Sequence, residues 1–307
     1  MLNTSIAGER GRVWREVLRT FRVATWLGWQ VESNWADPFV FLSLAVLRPV
    51  ATALMIVVMY QVISGGARSD FFTYLYVSNA FFVIVVQTLA GMAWVVLDDR
   101  ENYKMLKYIY TSPARKFTYL LGRAVSKMMI GLLTTLILLA TGLLFLGLPI
   151  QFDRVEWGML AVYFALGMMI LGGLGMVLAG VALVVARHGE SLGEVVAGML
   201  LLFSGAYFPP DILPSFLRTI TFALPITYWL EAMRRALNGG ILETARTVGG
   251  VTTTTPISPV LASISDIQLL GILLVSAVVC VAGSLLFYGW VENQAKERGM
   301  IDRTSRY

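Results

Sequence analysis

The chain has 307 residues, 57% of them hydrophobic and 14% charged, with a mean hydropathy of +0.72. Soluble domains carry about 25% charged residues, so this chain has too little charge to coat a water-facing surface. That argues against a soluble enzyme, a disordered tail or a nucleic-acid-binding domain, even at a net charge of +5. A single cysteine, Cys280, and a single histidine, His188, leave no disulfide framework, multi-cysteine metal site or two-histidine metal motif, so no metal is expected. The expectation is an all-α polytopic membrane protein.

Residues 1–38 open the chain as an amphipathic segment without the apolar core of a cleaved signal peptide. Arg12, Arg15, Arg19 and Arg22 line one helical face, and Trp14, Val17, Leu18, Phe21 and Ala24 the other. Such a helix lies in the headgroup plane of a bilayer. Asp37-Pro38 then turns the chain into a transmembrane body, 39–291, whose apolar runs are long enough to cross a bilayer.

The clear spans are 39–63, 72–97, 121–148, 157–186 and 266–291. Within the first, Arg48-Pro49 is either a functional intramembrane charge or an arginine that snorkels or sits at a subunit seam. The fourth span is rich in glycine (Gly167, Gly172, Gly173, Gly175, Gly180), which suits close helix packing. A shorter sixth crossing, 194–207, runs into Pro209-Pro210. Residues 208–230 carry Pro214, Arg218 and Pro225 and read as a re-entrant outer segment. An outer loop follows over 231–265 and a basic tail over 292–307. Six crossings place seventeen Lys and Arg on the side of the termini against six on the other, so both termini are expected in the cytoplasm.

What is missing narrows the chemistry. No Asp, Glu, His or Lys lies well inside any predicted span, which disfavours an ion-coupled carrier. No Gly-Lys dipeptide occurs, so there is no P-loop. Gly189-Glu190-Ser191-Leu192-Gly193 matches a nucleophile elbow, but that motif needs a strand–turn–helix context and a later histidine. His188 directly precedes it, and the flanks are membrane helices. The chain is therefore not expected to be an enzyme, and no catalytic residue is assigned.

Two segments carry the identity. The inner loop 98–120 begins Asp98-Asp99-Arg100-Glu101-Asn102 and runs to Ser112-Pro113. It reads as one helix over 99–110 with Met105, Leu106 and Ile109 as its apolar stripe. The second segment holds Ser204-Gly205, Phe208-Pro209, Leu213-Pro214, Pro225-Ile226-Thr227-Tyr228 and Arg234 in order.

Together they resemble the permease subunits of type-2 ABC exporters, whose fifth span ends in an SG-x-x-FP-x-x-x-LP pattern followed by P-x-[ST]-Y and a basic residue. The inner loop also resembles the family's, through Leu106, Ile109, Tyr110, Ser112, Pro113 and Leu120-Leu121-Gly122-Arg123. It departs at Lys104-Met105-Leu106-Lys107, where the family carries Gly-Thr-Leu-Glu.

The resemblance implies a permease that pairs with a second permease chain, sits in the cytoplasmic membrane and docks on two cytoplasmic ABC ATPase subunits. Those subunits, not this chain, hold ATP and magnesium. It points to Arg100, Glu101, Asn102, Leu106 and Ile109 at the ATPase contact, as a coupling helix. Polar or aromatic character in aliphatic helices points to Asn79, Phe82, Gln87, Ser204, Tyr207 and Phe208 along the substrate path. Short outer loops favour a small amphiphile, drug or lipid as cargo. A polysaccharide or glycolipid is the alternative, with Phe71, Phe72, Tyr74 and Tyr76 as stacking surfaces. Outside the family, an ion-gradient-driven transporter and a hydrolase built on Ser191 are the competing classes.

Overall fold

The computed structural model describes residues 2–33, 38–64, 70–112, 115–185, 189–248, 251–297 and 299. Pro113, Arg187, His188, the side chains of Arg12, Arg48 and Glu190, and nearly all of the basic tail beyond Glu297 lie outside the described residues. The chain runs α1 (Leu2–Ser33), α2 (Pro38–Ser64), α3 (Asp70–Leu97), a π-helical turn (Asp98–Asn102), α4 (Leu106–Thr111), α5 (Lys116–Phe145) and α6 (Trp157–Val184). It continues through α7 (Gly189–Phe203), α8 (Ser215–Ala223), α9 (Pro225–Asn238), β1 (Glu243–Val248), β2 (Val251–Pro256), α10 (Pro259–Ala262) and α11 (Asp266–Glu297).

Four helical stretches among the described residues are long and apolar enough to cross a membrane: Asp70–Asn102, Lys116–Phe145, Trp157–Val184 and Asp266–Glu297. Pro49–Tyr60 and Ser191–Phe203 are shorter apolar stretches. At about 1.5 Å per residue, α7 falls short of the roughly 30 Å hydrocarbon core.

The bundle is organised around α3. Of its apolar window, 72% is buried, against 22% for α11, so α3 is the central post and α11 an outer stave. α5, α6 and α7 pack around α3, and α11 lies along α6. The α6–α11 seam depends on the glycines. A Cβ at Gly173 would lie 2.7 Å from the carbonyl carbon and oxygen of Cys280. Ser284, Tyr288 and Ala277 of α11 are buried on the same side.

α1 packs on α5 rather than standing alone. Ala24 and Gly28 are buried there, Gly28 over Ser126 and Arg123, and Ala24 over Gly122. The apolar face expected over Trp14, Val17, Leu18, Phe21 and Ala24 is therefore divided. Ala24 turns to α5, while Trp14 and Leu18, a turn or more nearer the N-terminus, are exposed beside Arg15, Arg19 and Arg22. Gly28→Val should push α1 off α5 at a cost of about 1–3 kcal/mol. The expected result is faster tryptic cleavage at Arg15, Arg19 and Arg22 in the detergent-solubilised protein; an unchanged rate would contradict this packing.

Three departures from the expected boundaries bear on the site. The helix expected over 99–110 is interrupted: 98–102 widens into a π turn, and Lys104 takes φ 51° before α4 begins at Leu106. The widened turn carries two buried contacts: Asp99 accepts from Tyr119 on α5, while Arg100 donates to the Leu183 carbonyl on α6.

The helix expected over 194–207 ends at Phe203. Gly205 adopts φ 74°, a left-handed conformation open to glycine, so the chain has already turned before it reaches the prolines. At the outer segment's far end, α9 runs across the expected boundary at 230 and stops at Asn238. Gly239 caps it with φ 70° while the Gly240 amide donates to the Arg235 carbonyl (3.0 Å), the usual left-handed helix stop. The loop expected over 231–265 also contains an antiparallel hairpin, Glu243 facing Pro256 and Val248 facing Val251. Its threonine run is β-branched, which favours strand.

Candidate functional site: a groove between two charged clusters

A groove of about 1090 Å³ runs beside α3. α3 supplies Asn79, Phe82, Val83, Val86, Gln87, Ala90, Gly91 and Trp94, one continuous stripe at helical spacing. α7 supplies Glu194, Ala197, Gly198 and Leu201, with Tyr207 from the turn beyond it. Pro49 and Thr52 of α2 and Val31 and Glu32 of α1 complete the walls. α7 approaches α3 closely: a Cβ at Gly193 would meet the Ala90 backbone 2.5 Å away.

The groove has a polarity gradient. One end carries Glu32, Lys127, Asp98, Asn102, Tyr103 and Glu194. The middle is lined mainly by Val83, Val86, Ala90, Ala197 and Leu201, with Gln87 the polar residue among them on α3. At the far end Asn79 and the Tyr207 side chain line the groove. Of the six expected path residues, Asn79, Phe82, Gln87 and Tyr207 meet in this groove. Ser204 and Phe208 do not line it. Ser204 is fully buried with its hydroxyl unpartnered among the described residues, and Phe208 stays in the turn.

The other motif residues build that turn. Pro209 and Pro214 precede the short helices, Leu213 lies between them, and Pro225 opens α9. Thr227 donates to the Thr221 carbonyl (2.9 Å) and Tyr228 to the Phe222 carbonyl (2.8 Å), which fixes the angle between α8 and α9.

Beyond the far end lies a buried charge cluster. Glu231 accepts from Arg234 (2.8 Å) and Arg235 (3.0 Å). Arg234 also donates to the Ser78 hydroxyl (2.6 Å) and the Gly205 carbonyl (3.3 Å), and its guanidinium stacks 4.0 Å over the Tyr74 ring. Arg235 reaches Asp266 (2.9 Å) and the Leu261 and Ile264 carbonyls. One carboxylate thus ties α9 to α3, to the Gly205 turn and to the start of α11. The sequence signal was there, a Glu-x-x-Arg-Arg pattern that helical spacing brings together, but only Arg234 was singled out.

The aromatics proposed for stacking on sugars are mostly occupied. Phe72, Tyr74 and Tyr76 are buried, with Tyr74 donating to the Gly205 carbonyl and Tyr76 to the Leu138 carbonyl. Phe71, half-buried, stacks on Tyr74. The structure therefore removes them as an open sugar platform in this chain.

At the opposite end, a second cluster surrounds the π turn. Asp99 accepts from the Tyr119 hydroxyl (2.8 Å) and faces Arg123 at 3.7 Å, both fully buried. Lys127 pairs with Glu32 across α5 and α1. Tyr110 of α4 shares a 2.9 Å hydrogen bond with Tyr288 of α11, and burial raises its phenol to about 12, so it stays neutral. Among the residues expected at a docking surface, Arg100 and Leu106 are buried inward, Glu101 and Ile109 are half-buried, and Asn102 is exposed. The exposed remainder is Tyr103, Lys104, Lys107, Tyr108 and Thr111. Burial, unlike periodicity, depends on which helices a turn happens to meet.

Helices long enough to cross a membrane, arranged around a groove and fixed at each end by a charge cluster, define an integral membrane transport component. The chain belongs to the ABC-2 type transporter family, whose model matches residues 19–238. It is the membrane permease component of an ABC transporter. No curated protein matches it. The matched segment covers the groove and both clusters apart from Leu261, Ile264 and the α11 residues that complete them.

Proposed function

We propose that this permease is half of an ATP-driven exporter that crosses the cytoplasmic membrane six times with both termini inside. α2 and α7 supply the two crossings beyond the four long apolar helices, α7 being extended by the turn after Gly205. The 98–112 end faces the cytoplasm, and the hairpin end faces out. The exposed Trp14, Leu18 and Trp26 of α1, interspersed with Arg15, Arg19 and Arg22, suit the inner headgroup layer. A second copy of the chain closes the groove, and the joined grooves form the path for a small amphiphile, drug or lipid.

Two copies of a cytoplasmic ABC ATPase, which bring the ATP and magnesium, dock on the exposed side of 102–111. The observation that carries this reading is the wiring of that segment. Asp99 is tied to α5, Arg100 to α6 and Tyr110 to α11, so one displacement there moves three helices together. Coupling of this kind needs a contact network and an element with two arrangements.

The test is cross-linked pull-down of the tagged chain from its native membrane. A P-loop ATPase in roughly equal amount is expected, lost in a Lys107→Glu/Tyr108→Asp variant. Those two side chains are exposed, so the variant should fold and keep its normal elution volume. Unchanged ATPase capture by the variant would move the docking surface elsewhere; no ATPase from the unaltered chain would sink the exporter reading.

A further inference from the structure

We propose that the groove selects cationic amphiphiles. This deepens the export reading and rests on it for direction, though not for binding. Among the described residues that line the groove, three carboxylates, Glu32, Asp98 and Glu194, face one ammonium, Lys127. That ammonium is already committed to Glu32. The other two carboxylates come from separate elements, Asp98 at the start of the π turn and Glu194 in the first turns of α7, and both line this cavity; Asp98 accepts one hydrogen bond from the neutral Asn102 amide (2.7 Å).

The groove is not merely an acidic patch. Trp94, one helical turn before Asp98, and Tyr103 also line the charged end. Aromatic faces next to carboxylates favour an organic cation over a strongly hydrated metal ion, because the ring quadrupole adds attraction without requiring full dehydration. Beyond them the apolar wall of Val83, Val86, Ala90, Ala197 and Leu201 gives room for an alkyl or fused-ring body. A volume of about 1090 Å³ holds a drug-sized molecule. The order along the groove, charge then aliphatic wall then Asn79 and Tyr207, orients an amphiphile with its cationic head toward the 98–112 end. An anionic head there would meet two carboxylates with no uncommitted cation among the described lining residues. Arg48 precedes Pro49 on α2, but its side chain lies outside the described residues, so the headgroup series below also measures what it contributes.

The experiment uses the full chain in phosphatidylcholine nanodiscs. Its probes are three dye-labelled dodecyl amphiphiles that differ only in headgroup: trimethylammonium, sulfate and hydroxyl. Saturable binding is read by fluorescence, with empty nanodiscs subtracted. The cation is expected to bind tightest and to weaken as salt is raised, since exposed charges are screened. Asp98→Asn and Glu194→Gln should each weaken the cation by about two- to fivefold, the scale of an exposed ion pair. The double variant should erase the preference while leaving the hydroxyl probe unchanged.

Sulfate binding as tight as trimethylammonium, or a preference that survives the double variant, overturns the proposal. So does an absence of saturable binding by all three probes. None of these outcomes touches ATPase capture, so failure of the charge selection and failure of the export reading remain separable.

Discussion

Glu231→Ala is expected to be the most damaging single change in the chain. The carboxylate is 6% exposed and receives both Arg234 and Arg235. Its removal leaves Arg234, only 1% exposed, with neutral partners alone: the Ser78 hydroxyl, the Gly205 carbonyl and the Tyr74 ring. Arg235 keeps Asp266, whose side chain is largely exposed. Removing one partner of a buried ion pair costs about 3–5 kcal/mol, because a charge is left in a poorly solvating interior.

The expected observation is a large fall in monodisperse protein after detergent extraction and a lower thermal midpoint for what survives. Glu231→Gln, which keeps the shape and one carbonyl acceptor, should fall between the two. Wild-type yield and midpoint for Glu231→Ala would mean that the cluster does not hold α9 to the bundle.

The second large effect is expected at Gly173, with Gly172 beside it as control. At Gly173 an added methyl would press on the Cys280 backbone of α11 at 2.7 Å, and backbone cannot swing aside as a side chain can. At Gly172 the nearest obstacle is the terminal methyl of Met128 at 3.2 Å, on a flexible side chain that yields easily. Gly173→Ala should therefore separate α6 from α11 and cost about 1–3 kcal/mol or more, and Gly173→Val more again. Gly172→Ala should be close to neutral. The readout is the thermal midpoint of the purified chain. Equal effects at the two positions would show that α6 and α11 do not approach as closely as this.

The same pair shows where sequence reading stops. The five glycines of α6 announce a helix meant to be approached closely, since lipid offers no hydrophobic drive and small residues let backbones meet. Nothing in the one-dimensional pattern says that Gly173 faces α11 while Gly167 sits under the Trp229 indole and Gly175 against Met92. The groove was half legible in the same way. Asn79, Phe82 and Gln87 stand out as polar or aromatic residues in an aliphatic run, and helical spacing puts them on one side. Ser204 and Phe208 stand out just as clearly and yet belong to the turn behind the groove. Ser204 is packed away at the end of α7, and Phe208 lies past the Gly205 turn without lining the groove.

The docking segment teaches the complementary point. Its acidic start, its apolar Leu106 and Ile109 and its end at Ser112-Pro113 were all readable as a short exposed element between two crossings. The π turn was not. It holds adjacent Asp99 and Arg100 against partners on α5 and α6, helices whose positions no local propensity encodes.

What the sequence determined by itself is what depends on solvent and on local backbone chemistry. Hydropathy fixes a membrane location for the long helices, proline and glycine punctuate the segment after α7, and the charge bias suggests an orientation. What only the tertiary structure decided is which buried charges meet. Arg234 finds Ser78 across 156 residues of chain and Arg235 finds Asp266 across 31. Lys127 likewise reaches Glu32 across 95. An ionisable side chain in a low-dielectric interior must find a partner, but the sequence states only the need. The packing of α3, α5, α9 and α11 supplies the partner, and with it both ends of the groove.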